Sequence, residues 1–296
     1  MIKDFAKFAK NSPLYLVSSA IYYVLASLML GARWYSFLLA GFFYLVSLLI
    51  VFSSLGEKLL RMVEQVRKLE VRREKDQLLP IFNEVYEQAK LKNPGLGHIE
   101  MCLIEKMEIN ACAIGKHTVA VTKGAVDSFG EDELKALIAH EIAHIVHGDT
   151  IASLYTWVGN GIFTAIILVN RGFMFLVDLI TAIATRSGFA RIMLILTRYS
   201  FELMIIAFMF LMQIVISINS RKNEFRADKY AFELGYGEEL VEAFYTLDKI
   251  NMGGEKKLTK KMTASHPRLT ARIGQLEDLL DNQKEPIQTD PLPLNS

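Results

Sequence analysis

The chain has 296 residues, 52% of them hydrophobic, a formal net charge of +1 and a mean hydropathy of +0.26. That hydropathy is high for a soluble enzyme and points to a membrane protein, while the near-neutral balance gives no reason to expect nucleic acid as a partner. The two cysteines, Cys102 and Cys112, form neither a Cys-x-x-Cys site nor a disulfide framework and read as small packing residues.

Residues 1–12 are a short tail with Lys3, Lys7 and Lys10. Residues 13–30 and 34–55 are uncharged apolar runs separated by the short turn Gly31-Ala32-Arg33. Each run is near the length of about 20 residues that spans a bilayer, and Trp34 and Tyr35 fit an interfacial anchor. A cleaved signal peptide is disfavoured, because the first run leads straight into a second span. Residues 1–56 are therefore predicted as a tail and transmembrane hairpin. Just beyond it crowd Lys58, Arg61, Arg67, Lys68, Arg72, Arg73 and Lys75. With the lysines of the tail they set both ends of the hairpin on the cytoplasmic side. Residues 57–90 have helical spacing, with a predicted break near Pro80, and their charges read as a solvated, membrane-proximal face.

Residues 93–97 read as a turn, and 100–105 and 108–122 as strands with a hairpin between them. The second contains Asn110-Ala111-Cys112-Ala113-Ile114-Gly115 and Thr118-Val119-Ala120-Val121-Thr122. A strand of this kind can hold an extended peptide by edge pairing or can be purely structural, and spacing alone does not separate the two.

The stretch 134–150, LKALIAHEIAHIVHGDT, carries His140-Glu141-Ile142-Ala143-His144. On a helix, residues four apart share a face, so His140 and His144 can present two imidazoles to one metal ion. Zinc takes nitrogen and carboxylate ligands tetrahedrally, and a catalytic site leaves one position to water. Glu141, one residue on, is placed to take that water's proton. Apolar neighbours predict a helix buried on most sides, with Asp132 and Glu133 at its start and Gly148 at its stop.

Residues 151–169 and 199–218 are apolar enough to span, the latter with Glu202 near its start. Between them 171–198 is mixed, and its loop carries Arg171, Arg186, Arg191 and Arg198. That loop is placed outside despite its charge, because both halves of a metal site must share one side of the membrane. Residues 220–236 return to a polar helical pattern. There Glu224 is the best third ligand, and Asp228, at i+4, can reach the outer nitrogen of a ligand histidine and fix its tautomer. His147 lies a further turn along the first helix and would not complete a tetrahedron well. His98 and His117, on or near strands, read as structural or exposed. A helix over 239–250, a basic loop over 253–263, Ser265-His266-Pro267, a helix over 268–280 and a proline-bearing disordered tail complete the chain.

The ordered set of Asn110-Ala111-x-Ala-x-Gly115, Val119-Ala120-Val121-Thr122-x-Gly124, His140 to His144 with Gly148-Asp149, Asn223-Glu224-Phe225-x-Ala-Asp228, and His266-Pro267 with Arg272-Ile273 resembles the HtpX-type membrane zinc metallopeptidases. Their family also contains the CAAX prenyl-protein endopeptidases. The resemblance implies an α+β, mostly helical, multi-pass membrane protein with about four transmembrane helices. It also implies a cytoplasmic gluzincin-like zinc metalloprotease domain with a small β-sheet. One Zn2+ per chain would sit on His140, His144 and Glu224, with Glu141 as base. The strand with Asn110, Ala111 and Ala113 would hold substrate. His266 is expected as an oxyanion donor, with helix capping as its alternative, and Arg272 as an anchor of its segment to a carboxylate.

The expected divisions are 1–56, then 57–150 with the edge strand and motif helix, 151–218 with the third and fourth spans, 219–282 with the third ligand, and the tail 283–296. The expected partners are protein substrates, chiefly membrane proteins, and the lipid bilayer, with no nucleic acid. The leading function is an inner-membrane zinc endopeptidase for membrane or misfolded proteins. A prenyl-protein processing peptidase and a non-catalytic metal-binding scaffold are the alternatives.

Overall fold

The computed structural model describes residues 13–29, 33–184, 188–252 and 269–284. The amino-terminal tail, Gly31 and Ala32, Arg186, the basic loop with His266, and all but the first two residues of the expected tail lie outside the described residues. The chain falls into two compact units: Met1–Gln65, Ile114–His117 and His147–Ser220 form the first, and Val66–Ala113, Thr118–Val146 and Arg221–Ser296 the second.

The first unit is helical. It contains α1 (Pro13–Met29), α2 (Trp34–Val51), α3 (Ser54–Glu64), α7 (Asp149–Ala184) and most of α8 (Gly188–Glu233). Tyr15, Val51, Ile151, Leu154, Tyr155 and Val158 form its core. Three serines of α1 and α2 bond back to their own backbone: Ser18 to the Tyr15 carbonyl, Ser27 to Tyr23 and Ser47 to Tyr44. Their hydroxyls therefore need no partner from the surroundings. Among the described residues, α2 is the one helix long and apolar enough by itself to cross a membrane; α1 offers the shorter apolar stretch Tyr15–Leu25. The expected loop over 171–198 is corrected where it is described: α7 stays helical to Ala184 and α8 begins at Gly188, so Arg171, Arg191 and Arg198 are helical. The arginines did not end the helices because arginine is itself a good helix former.

The second unit is built on a sheet of order β1-β2-β4-β3, with β1 (Val66–Lys68), β2 (Glu100–Ile104), β3 (Ala111–Ile114) and β4 (Thr118–Thr122). β1 pairs antiparallel to β2, while β2 and β4 are parallel, with Glu100 opposite Thr118 and Ile104 opposite Thr122. The expected hairpin between the first two strand regions is thus absent. β2 neighbours β4 because both are buried along nearly their whole length, as interior strands must be. β3 is left at the edge.

The expected break near Pro80 lies elsewhere. α3 ends at Glu64, Gln65 takes the left-handed conformation at φ 60°, and β1 intervenes before α4 (Arg72–Lys92), which runs through Pro80. A proline inside a helix costs about 3 kcal/mol. Against this, Leu78, Ile81, Phe82, Val85 and Ala89 form one buried face of α4, and each large side chain contributes about 1.5–3 kcal/mol. Burial wins, and Pro80 lies on the exposed side. The same core takes Met101, Leu103, Val119 and Val121 from the sheet, and Leu134, Leu137, Ile138, Leu240, Phe244, Leu247 and Leu276 from α6 (Glu131–His147), α9 (Gly237–Met252) and α10 (Leu269–Lys284).

Candidate metal centre

α6 is fixed at its start by local chemistry. The Gly130 N–H donates to Glu133 Oε2 at 2.8 Å, which occupies a free donor of the first turn. Lys135 bonds to Glu84 and Glu131, both at 3.1 Å, and to Asp132 at 3.3 Å. The Glu84 and Glu131 carboxylates hold its ammonium above the ordinary lysine value. Leu134 and the continuous run from Ala136 to Ala143 are buried. The alanines there let neighbouring elements approach the helix closely. At the other end Gly148, at φ 85°, takes a conformation that favours glycine and terminates α6.

His140 and His144 stand on one face of α6 with their Nε2 atoms 3.3 Å apart and their rings nearly perpendicular, at 89°. Glu224 on α8 closes the triangle, with Oε2 3.5 Å from His140 Nε2 and Oε1 3.7 Å from His144 Nε2. Nitrogen and oxygen ligands at 2.0–2.1 Å from a tetrahedral ion stand about 3.4 Å apart. The two nitrogens, and the carboxylate that meets each of them with a different oxygen, stand close to that spacing, and the donor set suits a divalent transition ion. This is the one such cluster among the described residues.

Behind it lies a buried charge network. His140 Nδ1 is 3.0 Å from Asp228 Oδ1, which holds the ring with Nε2 turned to the metal position. Arg272, on α10, grips the same carboxylate twice: Nε donates to Oδ2 at 2.7 Å and Nη2 to Oδ1 at 2.5 Å. Its Nη1 lies 3.3 Å from Glu224 Oε2, and its guanidinium covers the Phe244 ring at 4.3 Å. Burial would push the Asp228 carboxyl up, but Arg272 outweighs this and holds it below its ordinary value. Burial and the Arg272 charge push His140 down, while the Asp228 and Glu224 carboxylates prevail and carry it up to about 9. A site this rich in anionic charge favours a cation beside His140.

Of the residues singled out from the sequence, His140, His144, Glu224, Asp228 and Arg272 thus meet around one point, and Glu141 is buried beside His140 on α6. His266 lies outside the described residues. His98 is exposed, and His117 lies 3.2 Å from Glu57. Asn110, Ala111 and Ala113 sit at and in the edge strand β3. Asn110 is already engaged: its N–H donates to Thr122 Oγ1, and its carbonyl accepts from the Thr122 N–H and hydroxyl, each at 2.9 Å. The same hydroxyl caps α5 (Lys123–Ser128) through the Ala125 N–H. Gly124 is required beside it, since a Cβ there would overlap the Met107 carbonyl. Sequence reasoning missed Phe244 and the Thr122 clamp. Phe244 looks like any apolar residue of an amphipathic helix, and only the threonine's place ahead of a helix hinted at a cap.

A family model for peptidase family M48 matches residues 72–280, and the chain belongs to that family. It is 34% identical over 187 residues to a protease HtpX homolog of Chlorobium luteolum, covering 57% of this chain and 62% of that protein. It is 32% identical over 223 residues to one of Chlorobium phaeovibrioides, covering 69% and 72%. It thus spans between about six-tenths and three-quarters of these relatives' length. The crystal structure of S. mikatae Ste24p aligns with 93% of this chain and 66% of its own, at 20% identity and a TM-score of 0.44.

Proposed function

We propose that the chain is a multi-pass membrane zinc endopeptidase that cleaves membrane or misfolded proteins on the cytoplasmic side. The carrying observation is the triangle of His140, His144 and Glu224, spaced for a tetrahedral ion on a helix that also supplies Glu141. Family membership and the protease HtpX relatives support the reaction class. Bound in the triangle, zinc would activate a water and polarise the scissile carbonyl. Glu141 accepts the attacking water's proton and delivers it to the leaving amide nitrogen. Asp228, fixed by Arg272, keeps His140 in the tautomer that leaves Nε2 free to bind. The β3 edge from Ala111 to Ala113 pairs with an extended substrate segment, and His266 donates to the developing oxyanion.

Membrane insertion is supported by α2, 18 uncharged residues and about 27 Å long, and by the apolar side chains exposed on α2, α7 and α8, among them Leu38, Phe42, Val169, Phe173, Leu203 and Phe210. With α1 and the apolar parts of α7 and α8 this gives about four crossings. The basic residues that follow α2 support a cytoplasmic second unit by the positive-inside rule.

The test is purification in detergent, metal analysis, and proteolysis of a model membrane protein by wild type and Glu141→Gln. Glu141→Gln should keep zinc near wild-type occupancy and lose cleavage. Zinc without hydrolysis by wild type would favour a metal-binding scaffold instead.

A further inference from the structure

The helix α3 presents three faces. Leu60 seats it on the core of the first unit, and Gly56 lets it approach: a Cβ there would stand 2.6 Å from the Ile50 carbonyl oxygen and 3.3 Å from Leu154. Glu57 turns to the segment Gly115–His117, accepting from the Lys116 N–H at 3.3 Å and lying 3.2 Å from His117 Nδ1. The third face is apolar and turned outward. Leu55, Met62 and Val63 are 50%, 72% and 58% exposed, with half-buried Leu59 between them. At helical spacing these four residues fall within an arc of about 100°. Exposed Lys58 borders the arc, and Arg61 lies beyond it.

We infer that this face of α3 lies in the headgroup–acyl boundary of an anionic membrane leaflet. An amphipathic helix ordinarily turns its apolar stripe to the core; here the core side is already taken by Gly56 and Leu60, and a second apolar stripe points away. The occupant follows from position and charge. α3 begins at Ser54, capped by Ser53, directly after α2 ends at Val51. The apolar face therefore starts where the uncharged helix leaves the acyl region. Lys58, exposed at the border of the stripe, complements lipid phosphates, as basic flanks do in helices that lie in the interface plane, whereas Arg61 faces Glu57 at 3.8 Å on the other side of the helix. The helix that meets the leaflet also holds, through Glu57, the turn that follows Ile114. This inference rests on α2 being a span.

The experiment places a nitroxide on Met62→Cys in full-length protein carrying Cys102→Ala and Cys112→Ala. The protein is reconstituted in phosphatidylcholine vesicles containing a quarter phosphatidylglycerol. Oxygen and a water-soluble nickel chelate are the relaxing agents, with labels at Leu45→Cys and Glu87→Cys as references. The expected ratio of oxygen to nickel accessibility at Met62 is several-fold above that at Glu87 and below that at Leu45. A Met62 ratio equal to that at Glu87, with Leu45 deep, overturns the inference and leaves the span intact. A Leu45 label as wet as Glu87 overturns both. Spin–spin broadening at Met62 that unlabelled protein dilutes away would show a second copy on this face and also overturns it.

Discussion

Replacing Arg272 by methionine tests the buried network behind the metal triangle. Arg272 and Asp228 are each only 1% exposed, and the guanidinium holds both carboxylate oxygens. Removing one partner of such a pair leaves a buried charge uncompensated, at a cost of about 3–5 kcal/mol. The contact over Phe244 is worth up to roughly 2 kcal/mol when desolvated, but methionine still packs on that ring, so the ion pair dominates. A domain whose stability lies above that cost, within the usual range of about 5–15 kcal/mol, survives this loss and remains folded. Adding Asp228→Asn removes the orphaned charge, so the double variant should be more stable than the sum of the singles by roughly 2–3 kcal/mol. Hydrogen exchange of the α6 amides in metal-free protein reads these differences inside the second unit. Metal affinity should behave otherwise. It falls about 10–100-fold in the double variant, where His140 has lost its ionised Asp228 partner, and less in Arg272→Met, which keeps that carboxylate on His140 Nδ1. Additive stabilities, or a single-variant cost below about 1 kcal/mol, would refute the idea that the pair is a coupled buried unit.

Four further outcomes follow from the same geometry. Glu224→Ala should lose both metal and cleavage, whereas Asp228→Ala should lose about 10–100-fold in affinity or rate; full zinc occupancy in Glu224→Ala would shift attention to His147. His266→Ala should keep zinc and lower turnover about 10²–10³-fold with little change in KM, and wild-type turnover with reduced thermal stability would leave it a cap. Cysteines near Gly31 and Asn170 should be labelled from outside the cell and ones near Arg72 and Lys257 should not; protection at Asn170 would mean that the start of α7 does not cross. Glu74 is held below its ordinary pKa, chiefly by the hydrogen bond from Arg67. Its contribution is therefore present above the ordinary carboxylate range and lost as pH falls through its folded value. Glu74→Gln should accordingly destabilise at neutral pH and converge with wild type in acid, as read by urea titrations across that range.

Some of this was legible because it is local. Histidines four apart on a helix meet whatever the helix packs against, Gly148 is free to take a positive φ, and an uncharged run as long as α2 carries its own length. The carboxylate partner for Arg272 was foreseeable only as a residue type. Nothing local names Asp228, which sits on another helix and meets Arg272 only when α8 and α10 pack. Tertiary structure also decided the strand order, since a parallel β2–β4 pair joins segments that local pattern would place in a hairpin. It kept α4 helical through Pro80 and drew β1 out of a helical pattern after Gln65. For the strand order and for α4 the deciding energy is burial against residues distant in sequence, and for β1 it is backbone pairing with β2; periodicity within one segment contains neither.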